Sequence, residues 1–141
     1  MNETTHSLDG RKARQGTAEL DEASLSLLLE RFYAKVRHDP ALGPIFAGAI
    51  ADDAWPAHMA RITGFWRSVL FKAGGYKGNP FAVHARLDGL TPALFERWLS
   101  LFGETSREVL SLEDAELVRV RALKIAESLQ AGLFFRPDRV A

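Results

Sequence analysis

Cysteine is missing from all 141 residues, and that absence removes disulfides, thiolate metal sites, iron–sulfur clusters and a cysteine nucleophile together. Any bound metal must use histidine, carboxylate, tyrosine or methionine. An excess of one charge is missing too: eighteen Lys and Arg balance eighteen Asp and Glu. No net field gathers phosphates or an anionic membrane surface, so nucleic acid and membrane are poor first expectations. No apolar run approaches the roughly 20 residues of a membrane span, and the polar N-terminus lacks the apolar stretch of a secretory signal. A cytoplasmic location is the default expectation. Nor does any segment alternate apolar and polar residues long enough to argue for a sheet.

Motifs of several chemistries are absent as well. There is no Gly-x-Ser-x-Gly elbow for a hydrolase, no Gly-x-Gly-x-x-Gly or Walker pattern for phosphate, and no His-x-x-x-His or His/carboxylate cluster for zinc. What is present is a composition of 47% hydrophobic and 26% charged residues, average for one folded domain. Residues 1–16 are polar and without periodicity, and read as a mobile tail. Residues 17–136 read as a single all-α domain.

Leu25, Leu28, Leu29, Phe32, Tyr33 and Val36 form one helical stripe that His38, Asp39 and Pro40 bring to an end. The following Ala41–Ala51 segment, broken by Gly43, Pro44 and Gly48, predicts a tight turn or a short 3₁₀ stretch. Asp52 or Asp53 is expected to cap the next helix, with Pro56 in its first turn and Trp55, Met59, Ile62, Trp66 and Val69 on its buried face. Residues 73–80 read as a loop before a short piece, Phe81–Arg86, that carries His84. Thr91-Pro92 and Ser111 with Asp114 mark the starts of two further helices, the last running to Phe135 before Arg136-Pro137 stops it.

Of the four histidines, His6 lies in the tail and His38 at a helix end, where an imidazole suits the macrodipole. His58 and His84 instead sit among large apolar side chains, one on a long helix and one on the short tethered segment. Two imidazoles facing across a gap suit haem, whose iron takes one axial His and leaves the other side for a diatomic ligand. Tyr33 and Trp98 lie on apolar stripes, where each can present a donor inside the core. Spacing alone leaves a plain packing role open for all four residues.

The segments Phe32-Tyr33-Ala34-Lys35-Val36-Arg37 and Leu42-Gly43-Pro44-Ile45-Phe46, then Trp55-Pro56-Ala57-His58, Phe65-Trp66, the Gly74-to-Pro80 loop, His84 and Phe95-Glu96-Arg97-Trp98-Leu99 resemble, in order and spacing, a group III truncated haemoglobin. The likeness covers about Asp21 to Leu133. It implies a truncated globin-like helical sandwich enclosing haem b, with His84 bound to iron. It further implies that Tyr33 and Trp98 donate to the distal ligand and that His58 lines or gates the distal pocket. Arg61 is expected to meet a haem propionate, helped from the loop by Tyr76.

Three functions follow as expectations. The first is reversible binding of oxygen, nitric oxide and carbon monoxide. The second is a redox enzyme, either a nitric oxide dioxygenase or peroxidase-like, with an electron-donating reductase as partner. The third is a cofactor-free helical interaction module whose aromatics and histidines are only core.

Overall fold

The first helix starts where two side chains satisfy each other's backbone. Asp21 Oδ1 accepts from the Ser24 N–H at 2.8 Å, and Ser24 Oγ accepts from the Asp21 N–H at 2.9 Å, a reciprocal cap for donors that have no partner within the helix. In the structure, a computed structural model describing residues 15–75, 78–85, 87 and 89–134, this helix is α1, Glu22–His38. All six residues of its apolar stripe are buried. It stops at Asp39, whose extended backbone precedes Pro40 as proline requires.

Asp39 then does three jobs with one buried carboxylate. Its Oδ2 accepts from the backbone N–H groups of Ala41 and Leu42 at 3.0 and 2.9 Å, which starts α2, Leu42–Ala49. Its Oδ1 accepts from Arg97 Nε and Nη2 at 2.8 and 2.6 Å. This corrects the expectation of a turn or 3₁₀ stretch, because α2 is an α-helix of eight residues. Pro44 falls in its first turn, where the missing N–H has no partner to lose. Gly43 is needed there, since a Cβ would stand 2.8 Å from the Arg37 carbonyl oxygen.

A second correction concerns the next helix. A 3₁₀ turn, Asp52–Ala54, leads into α3, Trp55–Phe71, and no side chain caps it. The 3₁₀ turn itself supplies the first backbone bonds, and the Asp52 carboxylate turns instead to Arg37 Nη2 at 2.9 Å. α3 ends at Lys72 in the left-handed region with φ 56°, a usual helix stop. The short α4, Pro80–Ala85, carries His84, and α5, Pro92–Val109, begins as expected with Thr91 Oγ1 accepting from Leu94 N–H. α6, Leu112–Phe134, begins with Ser111 Oγ accepting from Asp114 N–H. The stop read at Arg136-Pro137 lies outside the described residues.

α5 and α6 form a helical hairpin; α1 packs on α5 and is flanked by α2 and α3, while α4 leans on α6. Where α1, α3 and α5 meet, Phe32 is surrounded edge-on by Tyr33, Trp98 and Phe102, and Phe102 is stacked between Trp66 and Trp98 with ring centroids 5.2 and 5.4 Å away. Such ring geometries add to the area each aromatic buries. Lys35 of α1 reaches Glu104 and Glu108 of α5, which reinforces the same pair of helices.

Two residues assigned to the tail are part of the packed chain. Gly16 N–H donates to the Arg107 carbonyl at 2.7 Å, Gln15 Nε2 donates to the Leu110 carbonyl at 2.9 Å, and Ser111 N–H donates to the Ala18 carbonyl at 2.9 Å. The approach at Gly16 is so close that a Cβ would lie 2.2 Å from the Val109 carbonyl carbon. No described helix is long and apolar enough to cross a membrane.

The Arg97 hydrogen bonds hold the Asp39 carboxyl below the usual carboxylate range, against the opposing effect of burial and with help from the Leu42 and Ala41 N–H groups. A carboxyl depressed in the folded state contributes stability that is complete above its unfolded value and lost as pH falls through its folded one. Asp39→Asn is therefore expected to be less stable than wild type in urea unfolding at pH 7, by an amount that shrinks below about pH 4. A difference that did not change with pH would assign the effect to shape alone.

Candidate functional site

Between α1, α2, α3, α4, α5 and α6 lies a cavity of about 630 Å³, within the range of roughly 300–1,000 Å³ typical of pockets that bury a small organic ligand or cofactor. Tyr33, His58, Arg61, His84 and Trp98 all line it. Five of the six site residues read from the sequence thus share one wall-to-wall space. The sixth, Tyr76, lies outside the described residues. Between the polar groups the lining is apolar, with Phe46, Ile62, Phe65, Leu94 and Phe95 among its side chains.

His84 is oriented by its own helix. Its Nδ1 lies 2.7 Å from the Pro80 carbonyl oxygen, and because a carbonyl can only accept, Nδ1 carries the proton. The other ring nitrogen, Nε2, is the one left to meet a metal. A backbone carbonyl holding the far nitrogen in this way fixes the tautomer and raises the basicity of a metal-ligating imidazole. Phe95 of α5 packs beside the ring, 6.4 Å between centroids.

His58, on α3, is the opposite case. Its Nε2 is buried and has no hydrogen-bond partner among the described residues. Buried polar atoms are almost always paired, so an orphan of this kind is available to a partner from outside the described residues. Burial pushes the imidazole pKa down to about 4, with the Arg61 cation and His84 adding to the effect, so the ring is neutral near pH 7.

Tyr33 and Trp98 face each other from α1 and α5. The Trp98 indole N–H is directed at the Tyr33 oxygen, which favours the phenolate, but burial outweighs it and raises the phenol pKa far above its ordinary value. Tyr33 therefore keeps its proton, and with the Trp98 donor on its oxygen that O–H is free to point elsewhere. Arg61 is exposed at the cavity edge and makes no ion pair with a carboxylate among the described residues. His38 is exposed and bonded through Nδ1 to the Ala34 carbonyl oxygen at 2.9 Å, apart from the site.

Reading by spacing missed the parts that set these positions, namely the Asp39–Arg97 clamp and the Pro80 carbonyl. A signal existed for each: Asp39 stands three residues before the first helical Leu42, and Pro80 four residues before His84.

A helical chain enclosing an apolar cavity lined by one tethered imidazole and a second, unpartnered one has the architecture of a globin. The chain belongs to the group III truncated haemoglobins. A group 3 truncated hemoglobin of Campylobacter jejuni is 38% identical over 117 residues, which are 82% of this chain and 92% of that relative. The crystal structure of a group III truncated hemoglobin from Campylobacter jejuni matches with a TM-score of 0.80 at 37% identity, covering 85% of this chain and 96% of that chain. No family model matches the chain. Membership in the globins implies haem, and the residues present fit it: an apolar cavity, an imidazole tethered through Nδ1, and an unpartnered polar atom in the same lining.

The depressed His58 pKa carries a linkage consequence. Between about pH 6.5 and 4 the unfolded chain binds a proton at this residue that the folded chain does not. Its contribution to stability is thus expected to fall as pH drops through that window. Comparing urea unfolding of the haem-free chain with His58→Leu at pH 7, 5.5 and 4 checks this, the variant being expected to lose less stability than wild type.

Proposed function

We propose that this chain binds haem b in the cavity through His84 Nε2 and reversibly takes up oxygen and other diatomic ligands, nitric oxide and carbon monoxide among them. The observation that carries the reading is the pairing of the two imidazoles: one has its Nδ1 proton committed to the Pro80 carbonyl, and the other has a buried nitrogen with no partner among the described residues. A helical module without a cofactor would have no reason to keep an orphan imidazole nitrogen beside a cavity of about 630 Å³, since close packing without voids is the norm for protein interiors. Haem held there by His84 would supply an iron able to take a diatomic ligand.

The chain's residues then divide the work. The His84 imidazole is correctly turned because its Nδ1 proton is committed to the Pro80 carbonyl. Tyr33 holds its proton and donates it as a hydrogen bond toward a ligand on the distal side; Trp98 N–H supports it through the Tyr33 oxygen. His58 stays neutral, so it brings no charge into the cavity. Arg61 offers a cation at the edge, where a propionate is its natural partner. Apolar walls exclude water and strengthen each of these bonds.

Two measurements test the proposal. Purified protein supplied with haem is expected to show a Soret band that shifts when the ferrous form takes carbon monoxide, and His84→Gly is expected to lose the native band; a colourless wild type would overturn the reading. In the haem-loaded protein, Tyr33→Phe is expected to speed oxygen dissociation by roughly two- to twelvefold, the change that matches one net hydrogen bond, and Trp98→Leu, which removes only the support for that donor, by less. Stopped-flow displacement of oxygen by carbon monoxide reads it directly.

A further inference from the structure

Among the described residues the His58 ring has no polar tether at Nε2, which is buried. A side chain without a directional bond is held only by the atoms packed on it. Two rings meet it edge-on: Tyr33 at 6.0 Å and 87°, and Trp55 at 5.0 Å and 83°. Tyr33 is itself a wall of the cavity. Trp55 is not, for it stands behind His58, three residues earlier on the same face of α3 and almost fully buried.

Trp55 is gripped from its other sides. Phe46 of α2 stacks against it at 6.2 Å and 27°, and the Arg37 guanidinium, at the end of α1, lies 4.5 Å from its ring centroid. Asp52 keeps that guanidinium in place at 2.9 Å. The ion pair is exposed and contributes little by itself. Its effect is geometric, because a guanidinium fixed over an indole face adds a cation–π contact that a free Arg37 would make only part of the time.

We propose that Trp55 is a positioning residue for the distal side of the pocket: it holds the His58 imidazole inward, and the surface pair Arg37–Asp52 holds Trp55. Trp55 acts through His58 and not on a ligand. The meaning of this for ligand binding rests on the haem reading above, but the placement of His58 does not. The state of the distal wall is thereby tied to a surface contact that joins the end of α1 to the start of α3.

The test reads the reach of solvent to His58. The full chain, with and without haem supplied, is treated with diethyl pyrocarbonate at pH 7, and acylation of each histidine is followed by mass spectrometry with exposed His38 as internal standard. Trp55→Leu is expected to raise the His58 rate by roughly two- to tenfold, the population change that corresponds to losing one aromatic pair. Trp55→Phe, which keeps an edge-on ring, should stay near wild type, and Arg37→Gln, a surface change that spares the core, should give a smaller rise than Trp55→Leu. Unchanged His58 rates in Trp55→Leu and Arg37→Gln would overturn the proposal. So would an equal rise at His84, which would mean general loosening. Failure to take up haem would defeat the functional reading, while the comparison of variants in the haem-free chain would still decide this one.

Discussion

The buried carboxylate of Asp39 is the constraint on which the rest of this molecule depends. It closes α1, opens α2 through two backbone N–H groups, and receives the Arg97 side chain from α5. A buried charge is tolerated only when its hydrogen-bonding capacity is filled, and here four donors fill it. The consequence reaches the pocket, because Tyr33 lies six residues before Asp39 and Trp98 is the neighbour of Arg97. Holding α1 to α5 at this point sets the height at which the phenol and the indole meet.

The cavity is the place where this otherwise well-satisfied structure leaves something undone. Helix starts are capped by side chains at α1, α2 and α5, and the aromatic cluster around Phe32 and Phe102 fills the space where α1, α3 and α5 meet. Beside that cluster the packing opens, and a buried imidazole nitrogen has no partner. Local inconsistency of this kind is expected at functional sites and costs stability that the remainder of the fold must offset. The low His58 pKa and the retained Tyr33 proton have a single origin, since both come mainly from burial in a poorly hydrated space. Neither His58 nor Tyr33 brings a charge into the pocket, and Tyr33 still carries a donor.

The long helices could be read from the sequence because their apolar residues recur with the helical period and their ends carry recognisable caps. The α1 stripe, the Thr91 cap and the Ser111 start all appear where the pattern put them. α2 could not be read so, because glycine and proline in an eight-residue stretch argue against a helix when taken alone. What forms it is a carboxylate outside its own span, together with a Gly43 pressed against the Arg37 carbonyl. The cap expected from Asp52 or Asp53 did not form, and the Asp52 carboxylate has its partner in Arg37, on another helix. Gln15 and Gly16, polar and aperiodic, gave no sign that the α5–α6 junction would bind the Gln15 side-chain amide and the Gly16 backbone.

By itself the sequence determined the class of structure and the chemical inventory. Helical periodicity is a local property, and so are the absence of cysteine and the balance of charge. The resemblance in order and spacing of its tyrosine, histidines and tryptophan placed it among the group III truncated haemoglobins. Only the tertiary structure decided how those side chains are used. It brought Tyr33, His58, Arg61, His84 and Trp98 to one cavity, committed His84 Nδ1 to a carbonyl, and left His58 Nε2 without a bond. The physical reason is that burial, hydrogen-bond partnership and the protonation that follows from them are set by atoms distant in the chain, and no window of sequence contains them.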